Sequence, residues 1–460
     1  MMTTPPETVE RFGYRQELQR SLGFADLLIY GLIFMVPIAP FGIFGDVFRA
    51  SHGMVALAYL VGLVAMAFTA LSYAQMARAF PMAGSVYTYA GRGIAAPVGF
   101  MAGWAILLDY ILVPSLLYLI ASAAMASFVP AIPIWGWLII FVLLNTVVNY
   151  LGIQMTARVT KIMLIAELAV LAVFLVVGVM ALASGKSQAE TLSPVFDPNT
   201  FSWTVVFGAA SVAVLSFLGF DGISTLAEEN RESAARLGRS MVAALALVGV
   251  LFIAQTWVAA LLTQNRAAVM TDDDVKNNAF YALAEFAGGP WLAILTAVAT
   301  AVAWGFANSL VAQAATSRLL FAMGRDRQLP SFLAKVDPRH KVPVNATLVV
   351  ALISLGVGLW MNTLDDGVSL LVSLVNFGAM TAFLLLHVAV VVHFVVRQRS
   401  RDLLAHLVAP AIGFAVLVFV VINANVAAQV LGFIWLGIGL VVLGVSYLLG
   451  RRPSLPQEVS

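Results

Sequence analysis

Runs of about twenty apolar residues, the length a helix needs to cross the hydrocarbon core of a bilayer, recur twelve times along this 460-residue chain. That recurrence leaves few folds open. Within lipid, only helices and closed barrels satisfy their own backbone hydrogen bonds. The runs are continuously apolar and lack the alternation of a barrel strand. The pattern therefore predicts an all-α membrane protein of about 12 transmembrane helices, with spans near 22–48, 54–77, 95–127, 133–153, 157–183, 201–228, 238–262, 290–323, 343–361, 367–395, 403–423 and 428–449. Composition agrees: 10% of the residues are charged, against roughly 25% in soluble domains. The third and eighth runs are long enough to tilt strongly or to project beyond the bilayer.

All but four of the 25 lysines and arginines fall in alternate connections, the exceptions being Arg49, Lys186, Arg266 and Lys276. The positive-inside rule makes the rich side cytoplasmic, with both termini on it, in an inner (plasma) membrane. The expected organisation is a cytoplasmic segment 1–21, a first five-helix block 22–183, an external loop 184–200, a second block 201–395, helices 11 and 12 over 403–449, and a cytoplasmic tail 450–460. The first 20 residues are polar and charged, so no cleaved signal peptide is expected and the first apolar run would act as insertion signal. Cysteine is absent, which excludes disulfides, thiolate metal sites and thiol catalysis. The five histidines show no metal-ligand spacing, and His387, the one deep in a span, reads as packing rather than a proton relay. No phosphate loop, zinc helix motif or nucleophile elbow occurs, so neither an enzyme nor a resident cofactor is expected. A basic patch interleaved with aromatics is also missing, which argues against nucleic acid as a partner. The run Asp272, Asp273, Asp274 in the connection 263–289 reads as a solvated turn, with cation gathering near an entrance as the rival.

Two of the twelve spans are broken at their centres, by VPIAPFG (36–42) in the first and SFLGFDG (216–222) in the sixth. Irregular backbone at membrane depth survives only where protein or a watery cavity surrounds it. Breaks at matching places in two successive five-span blocks point to a midplane substrate site, two ordinary kinks being the competing reading. Pro37 and Pro40 lack an amide N–H, while Ile38, Ala39, Phe41 and Gly42 keep theirs. A break short of donors is less committed to holding an α-carboxylate. Gly219 and Gly222 interrupt the second broken span.

Three carboxylates lie in the spans: Asp109 in GWAILLDYILVP (103–114), Glu167 in KIMLIAELAVL (161–171), and Asp221 at the end of the second break. Each costs about 2.5–3.5 kcal/mol at the bilayer centre on insertion scales, and no lysine or arginine lies at comparable depth. A cationic substrate, a proton or a sodium ion would supply the missing charge; hydrogen bonding or protonation in a structural role is the alternative for each. Phe41, Tyr110, Phe217, Phe220 and Trp304 are candidates for cation–π walls or for packing. Asn308 and Ser309 are candidates for contact with substrate or coupling ion, or for an interhelical hydrogen bond. Glu228 lies seven residues after Asp221 and would share its face on a regular helix. With Glu229 and Glu232 it crowds the span's end beside Arg231 and Arg236, expected as a solvated, salt-bridged terminus, with gating ion pairs as the rival.

The segments SRLLFAMGRDRQLP (317–330), FLGFDGISTLAEENR (217–231) and AQMARAFPMAGSVYTYAGRG (74–93) resemble the amino acid–polyamine–organocation permeases, and the resemblance runs from about residue 20 to 450. It implies an inverted 5+5 repeat (LeuT-like) with discontinuous helices 1 and 6 plus two additional helices. Substrate would sit at Val36 to Gly42 and Ser216 to Gly222, under Phe217 or Phe220 as an aromatic gate. Two departures matter. The first break is not the Gly-Ser-Gly type that cradles a carboxylate, and Glu167 stands where many relatives have a lysine. VPIAPFG and GWAILLDY look like the putrescine-importer branch. The expected function is import of putrescine or a related amine by alternating access. Asp109 and Asp221 would pair with ammonium groups, and Phe217, Phe220 and Tyr110 would enclose the methylenes. Ile38, Ala39, Phe41, Gly42, Trp304 and Asn308 would complete the site, with Glu167 as coupling or charge-balancing residue for H+ or Na+. The alternatives are an amino acid permease of the same fold and, remotely, a membrane receptor or sensor that moves nothing. Oligomeric state is left open.

Overall fold

The computed structural model describes residues 9–364, 367–422, 426–448 and 455. Among these residues, ten helices are long and apolar enough to cross a membrane. The bent pair Phe24–Met35 and Ala39–Ala50 forms one further span, and the shorter apolar helix Ile134–Tyr150 completes twelve. The other spans are Val55–Ala79, Ala96–Phe128, Ile153–Ala183, Trp203–Glu229, Ala234–Leu262, Pro290–Arg325, Val344–Met361, Gly367–Arg397, Leu404–Ile422 and Val426–Leu448. The fifth and seventh begin four residues before their apolar runs, because the helix continues through the polar stretches around Thr156 and Arg236. Residues 1–8, Arg451, Arg452 and the tail 450–460 apart from Leu455 lie outside the described residues.

Both expected interruptions are present. The first span bends by 44° between its halves, at Val36, whose φ of 54° sits where few L-residues do. The sixth turns at Gly219 (φ 119°), a conformation that glycine adopts without penalty. The first block holds five spans, and that odd number of crossings starts the second block from the opposite face. The repeat is therefore inverted in topology.

The two halves close around the breaks. Phe34, near the end of the first half-helix, lies across Gly219 and Gly222; a Cβ on Gly219 would stand 2.8 Å from the Phe34 ring. The third span packs along the tenth, where Gly378 approaches the carbonyl of Ala105 closely enough that a Cβ would sit 2.8 Å from it. The last span lies at the periphery. It is clasped by stacked Trp104 and Trp435 (centroids 4.6 Å apart), each indole N–H donating to the other's backbone carbonyl at 2.8 and 2.7 Å. His387 sits in the packed interior between Thr69 and Ser72 hydroxyls at 3.3 and 3.0 Å.

Candidate functional site

The break amides are largely used within the chain. Ala39 N–H donates to the Val36 carbonyl (2.7 Å) and Phe41 N–H to the Ile38 carbonyl (2.9 Å). The Pro37 carbonyl accepts from the Gln255 amide at 2.9 Å. With Pro37 and Pro40 lacking donors, the first break keeps few amides for an incoming carboxylate. In the second break, Asp221 folds back on its own turn: Gly219 N–H reaches its Oδ1 at 3.3 Å and Tyr110 Oη donates to its Oδ2 at 2.6 Å.

Beside these breaks lies a cavity of about 570 Å³. Both halves of the first span line it, through Phe34, Met35, Val36, Ala39, Gly42, Ile43 and Asp46. The third span contributes Asp109, Tyr110, Val113 and Leu117, the sixth Ser216, Gly219 and Asp221, the eighth Trp304 and Asn308, and the tenth Val368, Val372 and Val375. Asp109 and Asp221, on different spans, thus face one chamber. Among the described residues, three aspartates and no lysine, arginine or histidine line it. Asp109 is buried in the chamber wall, and Asn308 Oδ1 is buried without a hydrogen-bond partner among the described residues. Trp304 reaches the wall because residues 303–308 form a π-turn, tied by Ser309 Oγ donating to the Trp304 carbonyl. Such inserted turns recur at functional sites. Its ring lies on Gly42, where a Cβ would stand 2.7 Å from Trp304 Cη2.

Four residues expected around substrate stand behind the wall. Phe217 packs edge-on against Tyr59 and Phe252 (6.1 and 5.2 Å), and Phe220 packs edge-on against Tyr73 (5.7 Å) and tilted against Phe383 (6.1 Å). Phe41 stacks on Phe280 at 4.1 Å, and Ile38 is fully buried. The sixth span runs as tight 3₁₀ turns on both sides of Gly219, at 3.0 rather than 3.6 residues per turn. That phase turns both phenylalanines away from the chamber and presents Ser216, Gly219 and Asp221 instead. Phe34, absent from the sequence-based set, is the aromatic that meets both the break glycines and the cavity. Glu167 is also outside the wall. It shares a buried face with Thr160, Leu164, Leu171 and Phe174, and neither carboxylate oxygen meets a partner among the described residues.

The arginine-rich end carries two buried ion pairs. Arg318 donates to both oxygens of Glu229 (2.5 and 2.8 Å), and Arg325 to both oxygens of Glu228 (2.9 Å each). Glu228 and Glu229 were expected beside Arg231 and Arg236 at a solvated terminus; both are instead buried and paired with the eighth span. Glu232 alone pairs with Arg236 in the expected manner, at 2.7 Å. Asp221 and Glu228 do not share a face, since seven residues of 3₁₀ helix advance two turns and a third. The segment before the first span straps this end. Gln16 donates to the Glu228 carbonyl, Arg20 to the Asn230 carbonyl (both 2.9 Å), and the Tyr14 ring lies 4.0 Å from the Arg325 guanidinium.

The cavity runs toward the opposite end, where Asp46 and Asn277 line it. All four basic residues of that end dock onto or beside the connection 263–289. Arg49 bonds Asp273 (2.7 Å), Lys276 bonds Asp46 (2.9 Å), Arg266 lies 4.9 Å over Phe48, and Lys186 donates to the Phe286 carbonyl (3.0 Å). Arg49, hydrogen-bonded to Asp273, holds that carboxyl below the usual range. The acidic run is a structured turn in which Asp272 caps a short helix by accepting from Asp274 and Val275 N–H.

The sequence profile described as amino acid permease matches residues 25–446. The low-affinity putrescine importer PlaP of Escherichia coli (strain K12) is 31% identical over 453 residues, covering 96% of this chain and 97% of that one. The branched-chain amino acid permease BcaP of Bacillus subtilis (strain 168) is 29% identical over 465 residues, covering 95% of each. A methylthioribose transporter of the same Bacillus strain is 26% identical over 483 residues, covering 98% of each.

Proposed function

The chain belongs to the amino acid permease family, which makes it a membrane transporter and not an enzyme, and on that premise we propose that it imports a small organic cation, putrescine or a related amine, across the inner membrane by alternating access. The observation that carries this reading is the charge of the chamber, which among the described residues three carboxylates line without a basic side chain. Asp221, oriented by Tyr110, and Asp109 would each hold an ammonium group, while Phe34, Val113 and Leu117 cover the methylenes and Trp304 offers its face to the cation. The name of the PlaP relative points the same way. Few break amides remain for a carboxylate, which weighs against an amino acid as preferred substrate.

In this reading the arginine-rich end is cytoplasmic, with both termini, and the chamber faces outward in the conformation described. The Glu228–Arg325 and Glu229–Arg318 pairs close the inner end and separate when one helix bundle rocks against the other. Glu167 would be the coupling or charge-balancing residue, a buried carboxylate on the helix face that carries Phe174, with no partner among the described residues and therefore available to H+ or Na+. Coupling is not obligatory for a dication, because 100 mV contributes about 2.3 kcal/mol per charge.

Labelled putrescine uptake into proteoliposomes tests the proposal. Asp109→Asn and Asp221→Asn should each raise KM at least tenfold, and undiminished uptake in both would remove the site. The second reading, an amino acid permease, draws on the BcaP relative; an amino acid that displaces putrescine better than any diamine would establish it instead.

A further inference from the structure

We propose that Asp46 is an outer station for the substrate's ammonium group and that Lys276 is its built-in competitor, an inference that rests on the cation-import reading. Asp46 follows Ala39, Gly42 and Ile43 on the cavity face of the helix Ala39–Ala50. The spacing 39, 42, 43, 46 is one stripe of a helix, and it carries Asp46 two turns, about 10 Å, outward from the break. Its carboxylate is 45% exposed, so one side faces the vestibule while Oδ1 receives the Lys276 ammonium at 2.9 Å. That ammonium is the same functional group that ends an aliphatic amine. The resting structure thus holds at Asp46 an intramolecular copy of the chemistry the chamber would accept.

The competitor is fixed in place yet has somewhere to go. Its backbone carbonyl is seated on Gly45, where no Cβ fits. Its Nζ also lies 3.7 Å from Asp273 Oδ1, a carboxylate already anchored by Arg49. An arriving primary ammonium takes the Asp46 oxygen, and Lys276 moves onto Asp273. No charge is left unpaired in the exchange, and the guest is handed to Asp109 and Asp221 below. The station selects aliphatic amines over zwitterions, whose carboxylate would meet three aspartates in sequence.

The chain has no cysteine, so a thiol introduced by Asn277→Cys, at the cavity wall, reports the local potential without background. A trimethylammonium thiosulfonate and its sulfonate counterpart would be reacted with that variant, with and without Lys276→Gln. Removing the competitor should raise the cation-to-anion labelling ratio about fivefold, and adding Asp46→Asn should abolish the gain, the size expected for a partly exposed pair. In proteoliposomes, Lys276→Gln should lower the putrescine KM about threefold to fivefold and Asp46→Asn should raise it by a similar factor, whereas Lys276→Arg keeps the wild-type value. A labelling ratio indifferent to residue 276, or an unchanged KM in a Lys276→Gln protein that still transports putrescine, would overturn the station and leave the import reading intact. Absence of amine uptake by the wild-type protein would defeat the import reading, while the labelling arm would still decide the station.

Discussion

Glu229→Gln should be among the most damaging conservative substitutions in this protein. The Arg318 side chain is 4% exposed and that of Glu229 fully buried, so neither charge has water to fall back on. Two unit charges about 4 Å apart attract by about 4 kcal/mol at an effective dielectric constant near 20. Removing one partner forfeits that attraction and leaves a guanidinium desolvated against the Ala314 carbonyl. Measured losses of this kind run about 3–5 kcal/mol, and that is the expected cost of either Glu229→Gln or Arg318→Gln. The double replacement Glu229→Met with Arg318→Met removes both charges and should recover most of the loss, because a desolvated pair is often no better than apolar packing. The assay is a double-mutant cycle on thermal unfolding of purified protein, followed by tryptophan fluorescence in one detergent. Single variants several degrees below wild type, with the double above both, are expected. Singles within about 1 kcal/mol of wild type, or strictly additive losses, would refute the claim that the pair is desolvated and coupled.

Gly219→Ala should destabilise by about 3 kcal/mol, since it adds left-handed strain to a Cβ 2.8–2.9 Å from Phe34 atoms; a wild-type melting temperature would contradict the packing of the two breaks. Asp273 titrates below its ordinary value of 3.8 in the folded protein. The folded state therefore binds fewer protons than the unfolded state near that pH, and the Arg49 contact is fully present above about pH 4 and lost on further acidification. Proteolysis of the connection 263–289 should accelerate across that interval in wild type but not in Asp273→Asn. Glu167→Gln should abolish acceleration of putrescine uptake by an imposed pH or sodium gradient while sparing uptake driven by membrane potential; retained gradient dependence would exclude Glu167 as the coupling group.

The spans and their two interruptions were legible because a bilayer imposes a length and forbids unpaired backbone, and both demands leave marks in a single sequence. Asp109 and Asp221 were legible for a related reason: an acid at that depth needs a purpose. Orientation was not. Phe217 and Phe220 turn away from the chamber because the sixth span winds as 3₁₀ turns on both sides of Gly219, which a 3.6-residue wheel does not reproduce. The partners of Glu228 and Glu229 lie 97 and 89 residues away, beyond any local pattern, whereas Arg231 and Arg236 were merely adjacent. Asp46 had a readable signal in its i+7 spacing from Ala39, but its Lys276 partner belongs to a distant loop.

The contacts that residues 14–22 make with Glu228, Asn230 and Arg325 have a mechanical corollary. If the Glu228–Arg325 and Glu229–Arg318 pairs part during transport as proposed, the segment ahead of the first span would have to detach and re-lay in each turnover. A bulky fusion or a bound factor there would then act as a brake on release, tuning throughput without altering what the pore recognises.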